Sequence, residues 1–288
     1  MAPSKNTSVR GEASGWLTLD ADGRWRRVGV DDGAPVSTSV ADVAVGADGA
    51  VWVSGDKAVS RRAADGTWTR WSAADGLPDG PTGRLVLAPD GTPWLAVHAE
   101  PGRGGVEGVT TLGADGRWTV FTKADGLPRI GAVHAIAIDP DGLPWVGMRL
   151  WQSLPPAPPV NLARRTADER WEAMTVPGSS ELEHVNALAF DAADNLWAAL
   201  YGGVAMRTPV GAWTTWADDA QLAFASDVVH PTARGDLWFS DGYDRARVRR
   251  ADGSRASVGR ADGLASEGMR DIAVAELTPP PPPEPPKR

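Results

Sequence analysis

Apolar positions along the chain fall into short, tight groups. VADVAV (40–45), GRLVLA (83–88), VHAIAI (133–138) and NALAF (186–190) alternate or cluster as strands do. Few segments offer ten residues of helical period without a glycine or proline. The 33 Gly and 24 Pro break the rest into turns. The pattern predicts an all-β protein of short strands.

The groups recur. "ADGTWTRWSAADGL" (64–77) returns as "ADGRWTVFTKADGL" (114–127) and "ADGRWRRVGVDDGA" (21–34). Weaker copies are "PVGAWTTWADDAQL" (209–222), "ADERWEAMTV" (167–176) and "ADGSRASVGRADGL" (251–264). A second phrase interleaves with the first: a short apolar strand, an Asp/Gly turn, then a strand opened by Trp. It is centred on Trp52, Trp94, Trp145, Trp197 and Trp238, and a partial copy, RDIAVAEL, stands at 270–277. Each unit therefore holds about four strands in ~40–50 residues, the signature of a β-propeller blade. We expect six blades of four antiparallel strands, seven being the alternative count.

The chain ends are complementary. Residues 270–277 supply an inner strand with no outer partners. Residues 15–20 and 24–30 supply outer strands with no inner partner, and 6–12 are spaced like a second strand. The expected layout is an N-terminal arm with the first strand of a shared closing blade (1–14), a propeller (15–277) and a proline-rich tail or linker (278–288).

The apolar strand followed by D-x-D-G-x-x-W-V-G, ADGxW and DGL resembles the two-component regulator propeller repeat. The nearest local matches are "HAIAIDPDGLPWVGM" (134–148) and "KADGL" (123–127). That resemblance implies a sensor-type recognition module, attached to a signalling protein or free-standing outside the cytoplasm. The streptogramin lyase family is a propeller enzyme of related appearance, but its catalytic residues do not map onto this chain residue by residue.

Composition narrows the partners. A net charge of −8 argues against nucleic acid and anionic membranes. No stretch approaches the ~18–20 apolar residues of a membrane span. With no cysteine there is no disulfide or thiol nucleophile. The opening MAPSKNTSVRGEASG has no apolar run, which as written fits a cytoplasmic protein. The family resemblance implies an extracytoplasmic one if the chain is a fragment. The partner expected is a small polar ligand, a glycan or a protein, with the chain itself a monomer.

Twelve of the 14 Trp occupy repeated positions, which is the pattern of packing rather than of sugar stacking. Trp16 and Trp151 stand outside them. Two consecutive units carry insertions between their second and third strands, HAEPGRGGVEG (98–108) and MRLWQSLPPAPPVN (148–161). Insertions on one face of a repeat protein mark its working surface. Arg103, Arg149, Trp151 and Gln152 are candidate ligand contacts there. Alignment on the inner Trp brings Ala41, Gly83, His134, Asn186, Asp227 (or Ser226) and Arg270 to the start of successive inner strands. His134, Asn186, Asp227 and Arg270 would then form a polar ring at the channel mouth.

No HExxH, GxSxG or phosphate-cradling glycine motif occurs. His134 with Asp227, joined by His98 or Glu100, is the group that register brings together for acid–base work. The leading expectation is a non-enzymatic binding propeller without a cofactor. The alternative is a propeller lyase or hydrolase using that histidine–carboxylate group, with a divalent metal admitted. Repeated Asp–Gly pairs such as Asp65–Gly66 fit hairpin turns better than calcium loops.

Overall fold

In the computed structural model the two halves of the fourteen-residue phrase do different work. The leading ADG closes a hairpin. Gly66 N donates to Ala63 O, Ala63 N donates to Thr67 O, and Asp65 Oδ1 accepts from Thr67 N. Gly66 sits at φ 92°, where a side chain is disfavoured. Where the phrase decays to ADERW, Glu169 adopts the same left-handed conformation at φ 62°, as Asp194 does at 61° in the turn of the second phrase. The trailing ADGL is a capped 3-10 turn. Asp75 Oδ2 accepts from Ser72 N, and Asp125 Oδ2 accepts from Thr122 N. Each turn delivers a leucine, Leu77 or Leu127, into the core.

The structure describes residues 15–19, 25–29, 40–55, 57–98, 106–128, 131–150, 160–177, 184–200, 203–216, 228–240 and 245–262. Among them are five four-stranded antiparallel sheets. The first is β3 (Val40–Val45), β4 (Val51–Gly55), β5 (Ala58–Arg62) and β6 (Trp68–Trp71). The second is β7 (Thr82–Leu87), β8 (Pro93–Val97), β9 (Gly108–Leu112) and β10 (Trp118–Phe121). The third is β11 (Gly131–Ile138), β12 (Pro144–Leu150), β13 (Leu162–Arg165) and β14 (Trp171–Met174). The fourth is β15 (Val185–Phe190), β16 (Leu196–Leu200), β17 (Gly203–Arg207) and β18 (Trp213–Trp216). The fifth is β19 (Val229–Pro231), β20 (Leu237–Ser240), β21 (Ala246–Arg249) and β22 (Arg255–Val258). A separate hairpin pairs β1 (Gly15–Leu19) with β2 (Trp25–Gly29).

Each sheet buries its faces against its neighbours in the chain. Trp52 and Val59 of the first meet Leu85, Leu95, Val97 and Trp118 of the second. The second and third share a core around Trp94, Val109, Val133 and Met148. Trp145 and Leu162 of the third pack with Val185 and Leu200 of the fourth, and Trp197 of the fourth with Phe239 of the fifth. Val28 of β2 packs on Val53 of the first sheet. The inner strands of all five sheets line one central cavity. Sheets stacked face to face around a shared hub are the blades of a β-propeller.

All eleven indoles with described side chains are buried or half-buried. Their geometry repeats. Trp52 stacks on Trp71 at 5.3 Å, Trp94 on Phe121 at 5.8 Å and Trp197 on Trp216 at 5.5 Å. The second ring of a pair then meets the outer Trp of the next sheet edge-on, as Trp71–Trp118 and Phe121–Trp171 do. Such pairs contribute about 0.5–1.5 kcal/mol each beyond their buried area. The buried Nε1 groups of Trp118 and Trp171 have no hydrogen-bond acceptor. Both belong to these edge-on pairs, where an N–H can meet a π face. Arg165 lies 4.1 Å above Phe121 and Arg207 lies 5.3 Å above Trp145, covering the stacks with cations.

The predicted N-terminal hairpin is present as β1–β2. Its proposed partners, 6–12 and 270–277, lie outside the described residues, as does Trp151. Among the described residues no helix is long and apolar enough to cross a membrane.

Candidate functional site

The inner strands begin on the face that carries the two insertions. Thr82 at the start of β7 pairs with Val97 at the end of β8, and Gly131 of β11 pairs with Leu150 of β12. The connections after β8 and β12 therefore leave from this end of the hub.

Four inner strands break register here. The irregularities fall between Val40 and Asp42, Thr82 and Leu85, Val133 and Ala135, and Val185 and Ala187. The skipped residues include Ala41, Gly83, His134 and Asn186, the four described members of the aligned positions. A β-bulge inserts one unpaired residue and re-aims its side chain, a device common beside functional sites. It also takes main-chain groups out of the ladder, and here neighbouring sheets bond several of them. Leu85 N donates to Asp42 Oδ2 at 2.9 Å, and Val133 N donates to Glu107 Oε1 at 3.2 Å. Ser54 Oγ donates to Gly83 O at 2.9 Å.

Two histidines meet at this end. The His98 and His134 rings lie 6.0 Å apart, tilted by 40°. Glu107 Oε1 stands 3.3 Å from His98 Nδ1. A carboxylate there selects the tautomer with the proton on Nδ1 and presents Nε2 as an acceptor. Nε2 lies over the α-carbon of Gly83, where a Cβ would meet it at 2.5 Å. His184 stands just before β15. Burial, followed by the charge of Arg149, holds its pKa below the ordinary 6.5.

Below the bulges opens a cavity of about 210 Å³. Its wall takes up the inner strands at the level of these bulges, at Asp42, Arg84, Ala135 and Ala187, and at Val228 before β19. Arg84 Nη1 lies 3.9 Å from Asp42 Oδ2. This end of the hub thus brings His98, Glu107 and His134 together above a cavity walled by the innermost strand of each of the five sheets, with Asp42 and Arg84 among its lining residues.

Of the sequence candidates, His98, His134, Arg149 and Asn186 lie among the described residues, and the two imidazoles are brought together. Glu100, Arg103, Trp151, Gln152, Asp227 and Arg270 fall outside them. Sequence reasoning missed Glu107, His184, Asp42 and Arg84. Glu107 closes the first insertion one residue before β9, and that position was its available signal. Among the described residues no three His, Asp or Glu side chains gather to hold a metal ion.

The chain is an all-β propeller, and comparison with known proteins agrees. No family model matches the chain, and no curated protein does. Solved structures do. The virginiamycin B lyase of Staphylococcus aureus superposes with a TM-score of 0.64 at 15% identity, over 86% of this chain and 78% of the enzyme. A catalytically inactive variant of that lyase with quinupristin gives 0.66 at 16% identity, over 90% and 82%. The extracellular domain of a putative hybrid two-component system from B. thetaiotaomicron gives 0.67 at 11% identity, over 92% of this chain and 34% of that one. The enzyme and the extracellular domain share the fold, and identity at this level shows the fold alone.

Proposed function

We propose that the protein is a ligand-recognition propeller of the sensor type, binding a small polar molecule at the bulged end of its hub. The observation that carries this is the convergence of His98, Glu107 and His134 from two neighbouring sheets beside an open cavity. Concave sites with a few fixed polar groups are the usual form of small-molecule sites. Asp227, Arg270, Asn186 and the inserted residues Glu100, Arg103, Arg149, Trp151 and Gln152 would complete the rim. The termini would close the ring as a sixth, shared blade, with 278–288 as a tail or linker. The similarity to the extracellular domain of a putative two-component system supports an extracytoplasmic setting, and the module would act as a monomer.

The test is calorimetry and thermal shift against a defined panel: monosaccharides, uronic acids, amino acids, aliphatic and aromatic carboxylates, and quinupristin. Binding by the wild type should be abolished in H98A and H134A, with melting temperatures close to wild type. Unaltered binding by both variants would refute the site.

One observation favours a second reading, acid–base catalysis by a lyase or hydrolase. Glu107 holds His98 as carboxylates hold catalytic histidines, with Nε2 presented to the hub. Turnover of an ester and lactone panel, lost in E107Q and compared with and without chelator, would establish that reading. Absence of turnover in the wild type would dismiss it.

A further inference from the structure

We infer that a second site, separate from the hub, lies between the fourth and fifth sheets and takes a flat aromatic anion where the repeat elsewhere sets an indole.

The repeat decides the place. The outermost strands β6, β10, β14 and β18 open with Trp68, Trp118, Trp171 and Trp213, whereas β22 opens with Arg255. In the first, third and fourth sheets that indole stands directly across from an arginine, Arg62, Arg165 or Arg207. In the fifth the same register sets Arg255 against Arg249. Trp118 and Trp171 reach the ring of the preceding sheet, and Trp213 joins the core between the third and fourth. Where Arg255 replaces the indole, a cavity of about 290 Å³ opens. Its lining residues Phe239, Arg247, Arg249, Arg255 and Ser257 share one face of the fifth sheet by register. Phe239 packs with Trp197, and Arg249 lies 5.9 Å over Trp216, so that face is turned to the fourth sheet.

The charges decide the sign. Arg245, Arg247, Arg249 and Arg255 line the cavity, and among the described residues no carboxylate does. Like charges directly opposite on neighbouring strands repel, and Arg249 and Arg255 form such a pair. A chain of net charge −8 thus gathers guanidinium groups at one slot. An anion entering it relieves their repulsion, and a cation adds to it.

The way this chain uses arginine decides the shape. Arg61 Nη2 donates to Asp48 Oδ2 at 2.8 Å while its guanidinium lies 5.7 Å over Trp52. Arg164 Nε donates to Glu172 Oε2 at 2.7 Å while its guanidinium lies 5.5 Å over Trp145. The N–H bonds run in the guanidinium plane and leave its face to an aromatic ring. A ring in the slot therefore uses guanidinium faces and leaves the N–H groups with the partners they have. A cavity of ~150 Å³ admits benzene, so this larger volume suits two fused rings, the size of the indole it stands in for. Arg245, Arg255 and Ser257 are exposed, which leaves the slot open to solvent.

The experiment titrates the whole chain with naphthalene-2-sulfonate by calorimetry, and backbone amide NMR follows the wild-type protein. Inorganic sulfate, 2-naphthol and 2-naphthylmethylammonium serve as controls for the charge alone, the ring alone and the opposite charge. The sulfonate should bind in the millimolar range or tighter. It should shift the amides of Arg247, Arg249, Arg255 and Ser257 and leave those of His98 and His134 in place. Sulfate and 2-naphthol should each bind at least about tenfold weaker, and the ammonium compound not at all. R255Q should lose about tenfold, and R255W, which returns the indole, should block the slot. Circular dichroism would show which variants are folded, and the wild-type amide shifts stand independently of them. Equal binding by folded R255W, equal affinity for sulfate or for 2-naphthol, or shifts at the hub or scattered over the surface would overturn the inference. So would the absence of sulfonate binding at millimolar concentration.

Discussion

The close approach of the third and fourth sheets can be tested with one methyl group. Gly147 of β12 is buried opposite Ala135, and a Cβ placed on it would lie 2.4 Å from Val185 Cγ1, 2.8 Å from Val185 Cβ and 3.1 Å from Ala135 Cβ. Carbon atoms rest at ~3.5–4.0 Å. Rotating Val185 could move its Cγ1 but not its Cβ, which is fixed to the main chain of a fully buried strand residue. The G147A variant must therefore push the sheets apart by about 1 Å. Overpacking of this kind costs about 1–3 kcal/mol. Removing a glycine from the unfolded chain returns about 0.4–1 kcal/mol, so the net loss should be about 1–2 kcal/mol. At ~2–4 °C per kcal/mol for a chain of this class, the melting temperature should fall by about 2–8 °C.

The assay is urea unfolding followed by tryptophan fluorescence on G147A, V185A and the double variant. V185A removes the Cγ1 contact but keeps the Cβ at 2.8 Å, so the double variant should recover only part of the strain and be more stable than the sum of the single losses by about 0.5 kcal/mol. G147A within ~0.5 kcal/mol of wild type, or strict additivity, would mean that these two sheets do not face one another as neighbouring blades.

Three further outcomes are expected. In G83A the new methyl meets only the end of the His98 ring and, at 3.4 Å, Ala96 Cβ; the ring should swing away from Glu107, altering its imidazole ¹⁵N shifts at a stability cost of about 1 kcal/mol, and unchanged shifts would refute the placement. Asp191 Oδ2 accepts from Trp197 Nε1 at 2.8 Å while Oδ1 accepts from Ala193 N and Asn195 N. D191A should therefore cost about 1–3 kcal/mol in urea unfolding, and a loss below that range would show the turn to be dispensable. Burial and Arg149 depress the pKa of His184, so below the ordinary 6.5 the unfolded chain binds the extra proton more readily. The resulting stability is present above pH ~6.5 and lost as pH falls through the folded value. H184Q should flatten that decline in unfolding curves taken between about pH 7.5 and 5, and an identical decline in the variant would exclude His184 as its source.

The blade was legible in the sequence because its constraints are local. A tight turn needs a left-handed residue, so ADG repeats, and Gly66 and Gly116 share that conformation. The inner and outer Trp positions repeat because the inner indole stacks on the aromatic ring of its own outer strand and the outer indole meets that ring edge-on from the next sheet. The meaning of ADGL was only half legible. Its leucine anchor is evident from Leu77 and Leu127, but the capped 3-10 turn that aims it depends on Ser72 and Thr122, residues that look like ordinary strand ends. The site was harder. Alignment on the inner Trp found Gly83, His134 and Asn186, yet nothing in the pattern said that each lies at a bulge. A one-residue irregularity reverses which face the following side chains take, so the wall residues Asp42 and Arg84 were passed over. Glu107 was hidden for a different reason: its partners, His98 and the amide of Val133, come from the far side of an insertion and from another sheet.

The same geometry explains why function would gather at this end of the hub. Along the body of each strand, side chains are committed to the neighbouring sheet: Trp71 to Trp118, Phe121 to Trp171, Val185 to Gly147. Substitution there disturbs a contact that the ring repeats. At the bulges the ladder is already broken, and the main-chain groups are bonded from the side by Asp42, Ser54 and Glu107. A bulged residue is thereby relieved of sheet packing, and its identity varies from unit to unit: Ala41, Gly83, His134, Asn186. Gly83 is the exception that supports the rule, since it is small because the His98 ring occupies its side-chain space. The fold therefore holds its shape through what repeats, and the chemistry is free to reside in the positions that do not.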